Sequence, residues 1–226
     1  MHPMEIRRQL LATYNAIAEH FDITRYKPWP ETMIFAAFLP RGCVIADLGC
    51  GNGRNALYLA SKGFKVIGID FSQKLLEIAA KRAEQGRYQY KPHFILGDVV
   101  SLPLSAESVD AVLYIATLHH LPTREERLRS VREVERVLRR GGEALISVWA
   151  IEQEKFRTEF SRYRIDDMEV GDVHLPWKRQ IDGKVFPRYY HFFSKEEFLE
   201  LFKNSGLRVI EYFYHADNHY VRVRKE

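Results

Sequence analysis

Long apolar runs are missing from this chain. No stretch approaches the roughly 18 apolar residues that a membrane span needs, and the opening MHPMEIRRQ carries no apolar segment behind its charges. The sequence therefore predicts neither a spanning helix nor a secretory signal, and points to the cytoplasm. Cysteine is scarce. Cys43 and Cys50 cannot make a tetrahedral zinc site by themselves, and no histidines are spaced around them as further ligands, so both read as small buried hydrophobes in a reducing compartment and no metal is expected. Internal repeats and low-complexity tracts are also lacking, which leaves one domain over residues 1–226 as the default for this length. Nor does one sign of charge dominate: 34 Lys and Arg stand against 30 acids, a balance that permits RNA or another polyanion as partner without requiring it.

What is present is organised around Val44–Asp70, VIADLGCGNGRNALYLASKGFKVIGID. An apolar run ends in Asp47, the chain passes Gly49, Gly51 and Gly53, a helical pattern occupies Asn55–Ser61, and a second apolar run ends in Asp70. This reads as strand, glycine loop, helix, strand. Residues without a β-carbon can take positive φ and let the backbone come close to a ligand, while the free amides of the loop and first helical turn face an anionic group. An acid about 20 residues past such a loop is placed to hold a ribose diol. The unit is expected to bind an adenosine-containing cofactor. Its spacing is G-x-G-x-G, with Arg54 where a dinucleotide fingerprint would have a small residue, and this weakens a nicotinamide reading.

Around this unit the periodicities alternate. Met4–Phe21 carries Ile6, Leu10, Tyr14, Ile17 and Phe21 at helical steps, and Pro28 and Pro30 then force an extended path past Tyr26 and Trp29. With Arg25 and Lys27 beside them, those aromatics look like a lid or pocket wall, so residues 1–40 read as a helical cap. Helices are predicted over Glu31–Leu39, over Gln73–Glu84 behind the cap Ser72, and from the Thr123–Glu126 capping box to Leu138, where Gly141-Gly142 ends the pattern. Strands are predicted at Lys91–Leu96, Val109–Ala116 and Glu143–Ala150. Alternation from 44 to 150 implies a parallel sheet covered on both faces, whose ligands collect at the strands' carboxyl ends. Asp47, Asp70, Asp98 and Ile115–His120 would share that rim. The pattern fails between Ile151 and His191, an aromatic and charged stretch read as a functional insertion on the substrate side. A helix capped by Ser194 and Glu197 follows, then two strands, Leu207–Tyr214 and His219–Val223, as an antiparallel pair.

With D-L-G-C-G-N-G in its first loop and a terminal hairpin, the chain resembles the class I S-adenosylmethionine-dependent methyltransferases: an α/β, Rossmann-like, seven-stranded mostly parallel sheet. HFDITRYKPWP at His20–Pro30, the segment Ile115–Gln153 and PRYYHFFSKEEFLELF at Pro187–Phe202 narrow the resemblance to the tRNA wobble-uridine methyltransferases, which convert 5-carboxymethyluridine to its methyl ester. The chain departs from that family at His219, where an aromatic such as tryptophan is usual, and in a shorter middle region. The resemblance implies that Gly49, Gly51 and Gly53 line the methionine moiety, that Asp70 holds the ribose, and that Asp98 and Val99 face adenine. Asp47, Cys50, Phe71 and Ile115 complete the expected cofactor site.

Methylating a carboxylate needs desolvation and alignment rather than a strong base. Arg25 is the candidate clamp, since guanidinium grips a carboxylate bidentately. One of His119 and His120 would orient the carboxymethyl group or touch the uracil. Arg188, Tyr189, Tyr190 and His191 would close the site, with tyrosine stacking on an unpaired base. Arg7, Arg8, Arg222, Arg224 and Lys225, with Lys178, Arg179, Lys184 and Arg188, could gather into a phosphate surface for the anticodon stem-loop, whereas REERLRSVREVERVLRR reads as a solvated helix face. The family also implies a small zinc-containing activator protein that adds a strand to the exposed edge His93–Leu96. A methyltransferase for a small-molecule carboxylate or hydroxyl is the alternative enzyme. A cofactor-binding scaffold subunit is the non-enzymatic one, although the loop glycines and Asp70 are intact.

Overall fold

The computed structural model describes residues 2–166 and 168–226. Helix α1 (Pro3–Thr24) and helix α2 (Pro30–Phe38) precede the sheet. Both begin on a proline, whose missing amide and fixed φ suit a first helical turn. The glycine unit follows as β1 (Val44–Leu48), α3 (Arg54–Ser61) and β2 (Lys65–Asp70), then α4 (Gln73–Gln85), β3 (His93–Leu96), β4 (Val109–Tyr114), α5 (Arg124–Val137) and β5 (Leu138–Trp149). Ser72 and Thr123 cap α4 and α5 by accepting the Leu75 and Glu126 amides.

β5 starts earlier than the sequence suggested. Gly141-Gly142 lies inside the strand, and pairing with β4 jumps from Val109–Leu138 to Ala111–Glu143. The glycines accommodate this irregularity instead of ending the helix, which stops at Val137.

The sheet order is β3-β2-β1-β4-β5-β9-β8, with β8 (Leu207–His215) and β9 (Asn218–Lys225) antiparallel. Their two-residue turn, Ala216-Asp217, has both φ positive, the arrangement whose twist suits a tight hairpin. One sheet face packs Val112, Tyr114 and Ile146 against α5 and Phe198, and the other packs Ile45, Leu113 and Leu145 against α2 and α3. Strands buried on both faces explain their nearly unbroken apolar runs.

Residues 151–191 are not an irregular loop. After α6 (Glu154–Thr158) they form a separate antiparallel ribbon, β6 (Asp172–Lys178) and β7 (Val185–His191), and α7 (Lys195–Glu200) follows. Their alternation was obscured because the ribbon is buried on both sides near Asp172 and His191: Val173, Leu175 and Tyr190 join Phe156 and Phe192 in a small core of their own, while Asp172, Tyr189 and His191 are buried on the other side. Helix α1 bridges the ribbon and the sheet layer. Asn15 accepts from Ser72 and Lys74, and Asp22 pairs with Arg82, while Thr13 donates to the Pro187 carbonyl and His20 accepts from Trp177.

Candidate active site

The carboxyl ends of β1, β2 and β4, roofed by α1 and flanked by β7, enclose a cavity of about 300 Å³. The chain turns into it because the amides of Gly49 and Cys50 both donate to the Ile69 carbonyl, at 2.7 and 3.1 Å. Gly49 has φ +68°, and a β-carbon there would fall 2.2 Å from the Thr117 hydroxyl, so no other residue fits. The Gly51 and Ser72 amides each donate to one oxygen of Asp70 at 2.8 Å. Burial nevertheless raises this carboxyl to about 6, and each oxygen keeps a further lone pair. Asp98 accepts from the Val100 amide at 3.1 Å and from Arg7 at 2.6 Å. Gly49, Cys50, Gly51, Asp70, Phe71, Asp98, Val99 and Ile115 all line the cavity.

Two expected cofactor residues do not. Gly53, with φ +78°, caps α3 and faces Ala79 and the Phe94 ring, so its role is close packing of helix on sheet. Asp47 lies beneath the loop, fully buried, with Oδ2 lacking any hydrogen-bond partner. Burial pushes it up to about 7, with the charge of Arg54 pulling the other way.

The cavity wall also carries cations. Arg25, Arg54 and Arg188 all line it, and none has a carboxylate partner among the described residues. Instead they lie over aromatic rings: Arg25 and Arg188 over Trp177 at 5.5 and 4.6 Å, and Arg54 over Trp29 at 5.4 Å. Burial and the neighbouring charge of Arg25 depress Arg54 to about 10. Cations without carboxylate partners around one space are stabilised by an anion between them.

His119 and His120 follow β4 through Ala116, whose φ of +51° turns the chain back toward the cavity. The Trp149 amide donates to His119 Nδ1 at 3.2 Å. An amide can only donate, so Nδ1 carries the lone pair and the proton sits on Nε2, for which no described residue is a partner. His120 has the other tautomer: Nδ1–H donates to the Tyr189 carbonyl at 2.8 Å, and Nε2 accepts from the Tyr14 hydroxyl at 2.9 Å. Burial holds both imidazoles neutral, His119 well below its usual range and His120 down at about 3.

The tyrosines do not have the freedom to stack on a base. Tyr190 lines the cavity, but its ring is stacked on Trp149 at 4.3 Å and its hydroxyl receives Arg188. Tyr189 is buried and donates to Asp172 at 2.5 Å. His191 bridges Asp172 and Glu197, each at 2.7 Å. Arg127 enters the same buried cluster, bonded to Glu169 at 2.5 Å, so α5 is not a uniformly solvated face. These groups clasp the ribbon to α5 and α7 through hydrogen bonds and ion pairs. Several of the expected phosphate contacts are likewise engaged: Arg7 with Asp98 and Glu126, Arg222 and Arg224 with Glu143, and Lys225 with Glu107.

A general methyltransferase-domain family matches residues 46–146. The tRNA (carboxymethyluridine(34)-5-O)-methyltransferase of Schizosaccharomyces pombe is 35% identical over 230 residues, which is 94% of each chain. The chain belongs to this family. The mouse tRNA (carboxymethyluridine(34)-5-O)-methyltransferase ALKBH8 is 42% identical over 151 residues, 66% of this chain but 21% of that longer protein. A Haloferax volcanii methyltransferase, solved in complex with the Trm112 methyltransferase activator, superposes with a TM-score of 0.69 over 95% of this chain and 96% of its own at 17% identity, a likeness of fold.

S-adenosylmethionine is the cofactor of this family, and the residues present fit it. Asp70 retains acceptor capacity for a ribose diol. The buried Asn52 Oδ1 lines the cavity without a donor, as an ammonium group would require, and Arg54 offers a charge for a carboxylate. Sequence reasoning missed Arg54, Asn52 and Trp177, gave Arg7 to a phosphate surface, and put Tyr14 on an apolar helix face without a site role. Arg54 had stood out, but only as a departure from a different fingerprint.

Proposed function

We propose that this chain forms the methyl ester of 5-carboxymethyluridine at the wobble position of tRNA, using S-adenosylmethionine, as the catalytic subunit of a complex with a small activator protein. The observation that carries the chemistry is the cavity's lining: the acids Asp70 and Asp98, three arginines without carboxylate partners among the described residues, and two neutral histidines beside Arg188. When bound, S-adenosylmethionine supplies a methyl group on a positively charged sulfur; the carboxylate gives the electron pair of the new bond, the old pair stays on sulfur, and no proton moves. A site with no free base suits that reaction. Arg25, exposed at the mouth, and Arg188 orient the incoming carboxylate, and His119 offers a neutral N–H that steadies the anion without pairing it too strongly to react.

The RNA enters past Arg25, Tyr26 and Lys27, all exposed beside the cavity. Supporting the activator is strand β3, a sheet edge with Leu96 58% exposed, open to pairing by an added strand, together with the activator seen on the Haloferax methyltransferase. The test is incubation of the chain, with and without such an activator, with methyl-labelled cofactor and total tRNA. The label is expected in wobble-uridine nucleosides and to be released by mild alkali, as an ester requires. RNA that stays unlabelled, or label that resists alkali, overturns the reading.

A further inference from the structure

Helix α1 supplies Leu10, Tyr14 and Phe21 to the cavity wall. Tyr14 reaches the histidine pair through the 2.9 Å bond to His120 Nε2, and its hydroxyl also faces Tyr190 and Arg188. Its ring is fixed edge-on against Phe21, Phe71 and His120, and burial keeps its hydroxyl protonated. His120 in turn holds the Tyr189 carbonyl of β7. The groups facing His120 are therefore Tyr14 from α1, His119 beside it, and Arg188 and Tyr190 from β7.

We infer that Tyr14 is a positioning residue that masks the lone pair of His120 from an anionic substrate, and that His119 alone of the two histidines donates to the substrate. The inference rests on the carboxylate chemistry proposed above. Its physical basis is simple. A neutral imidazole whose Nδ1–H is committed to a carbonyl presents a bare acceptor at Nε2. Beside an incoming carboxylate that acceptor repels, against the attraction of the neighbouring Arg188. The Tyr14 hydroxyl removes that repulsion.

Tyr14→Phe keeps the ring and deletes only the hydroxyl. At pH 8 kcat/KM on tRNA is expected to fall at least about tenfold, the equivalent of one buried hydrogen bond, with affinity for S-adenosylhomocysteine retained. The loss should appear in KM, because the carboxylate carries its full charge before methyl transfer. A structural defect lowers S-adenosylhomocysteine affinity as well. A kcat/KM within about twofold of wild type at pH 8, or an equal loss of S-adenosylhomocysteine affinity, overturns the inference. Should the variant not fold, long-range proton–nitrogen spectra of the wild-type chain test the premise. His120 is expected as the neutral Nδ1–H tautomer and His119 as Nε2–H, and the opposite assignment refutes it. Because those spectra need no substrate, they test the relay even if tRNA proves not to be methylated.

Discussion

Asp47→Asn should make this protein more stable while leaving its cavity lined as before. The carboxyl group is 1% exposed, and Oδ2 has no hydrogen-bond partner. Burial raises it from 3.8 to about 7 against the pull of Arg54. At about 1.4 kcal/mol for each tenfold change in proton affinity, keeping it ionised costs the native state about 4 kcal/mol, a large share of the roughly 5–15 kcal/mol that holds a domain together. The sign follows from linkage. Below 3.8 both states are protonated and there is no cost. Between 3.8 and about 7 the native state holds a proton that the unfolded chain has released, so stability falls as pH rises, and above 7 the whole cost is present. Asparagine has no such dependence. Urea unfolding of both proteins at pH 5, 6.5 and 8 should show the variant's midpoint advantage widening with pH at an unchanged slope. A variant less stable at pH 8, or an advantage equal at all three values, would refute the reasoning.

The arginines should separate by ligand: Arg54→Ala should weaken S-adenosylhomocysteine binding by about tenfold or more in calorimetry, while Arg188→Ala should leave that affinity and lower kcat/KM on tRNA, since a lost charged hydrogen bond is worth about 1.5–3 kcal/mol. Cofactor affinity itself should decline as the pH is taken below about 6, where Asp70 acquires a proton, and Asp70→Asn should remove that dependence. Gly49→Ala combines positive φ with a β-carbon 2.2 Å from Thr117; it should cost about 1–3 kcal/mol of stability and abolish measurable cofactor binding, whereas an alanine there that unfolds and binds like wild type would show the loop to be more forgiving than its geometry.

The sheet was legible because each of its central strands is buried on both faces, so that apolar runs, glycine turns and caps all pointed the same way. Asp70, Asp98 and the histidine pair were legible for the related reason that strand ends define the rim. The ribbon from Asp172 to His191 was not, since its short alternation is broken by Pro176 and Pro187, which sit opposite one another in the register, and by a buried ionic cluster that has no periodic signature. Arg127 shows the limit most directly: one residue in a run of charges, indistinguishable in sequence from Arg129 or Arg132, is fully buried because Glu169, Glu197 and the Leu121 carbonyl converge on it from other segments. Tyr14 was placed correctly on the apolar face of α1, but periodicity reports which face is buried and not what lies against it. The aromatic and basic residues scattered through the N-terminal helices and the ribbon acquire chemical meaning only because α1 spans the two layers and brings Tyr14, Arg25 and Arg188 to one cavity. It follows that shortening or displacing α1 should cost activity on tRNA out of proportion to the stability it removes.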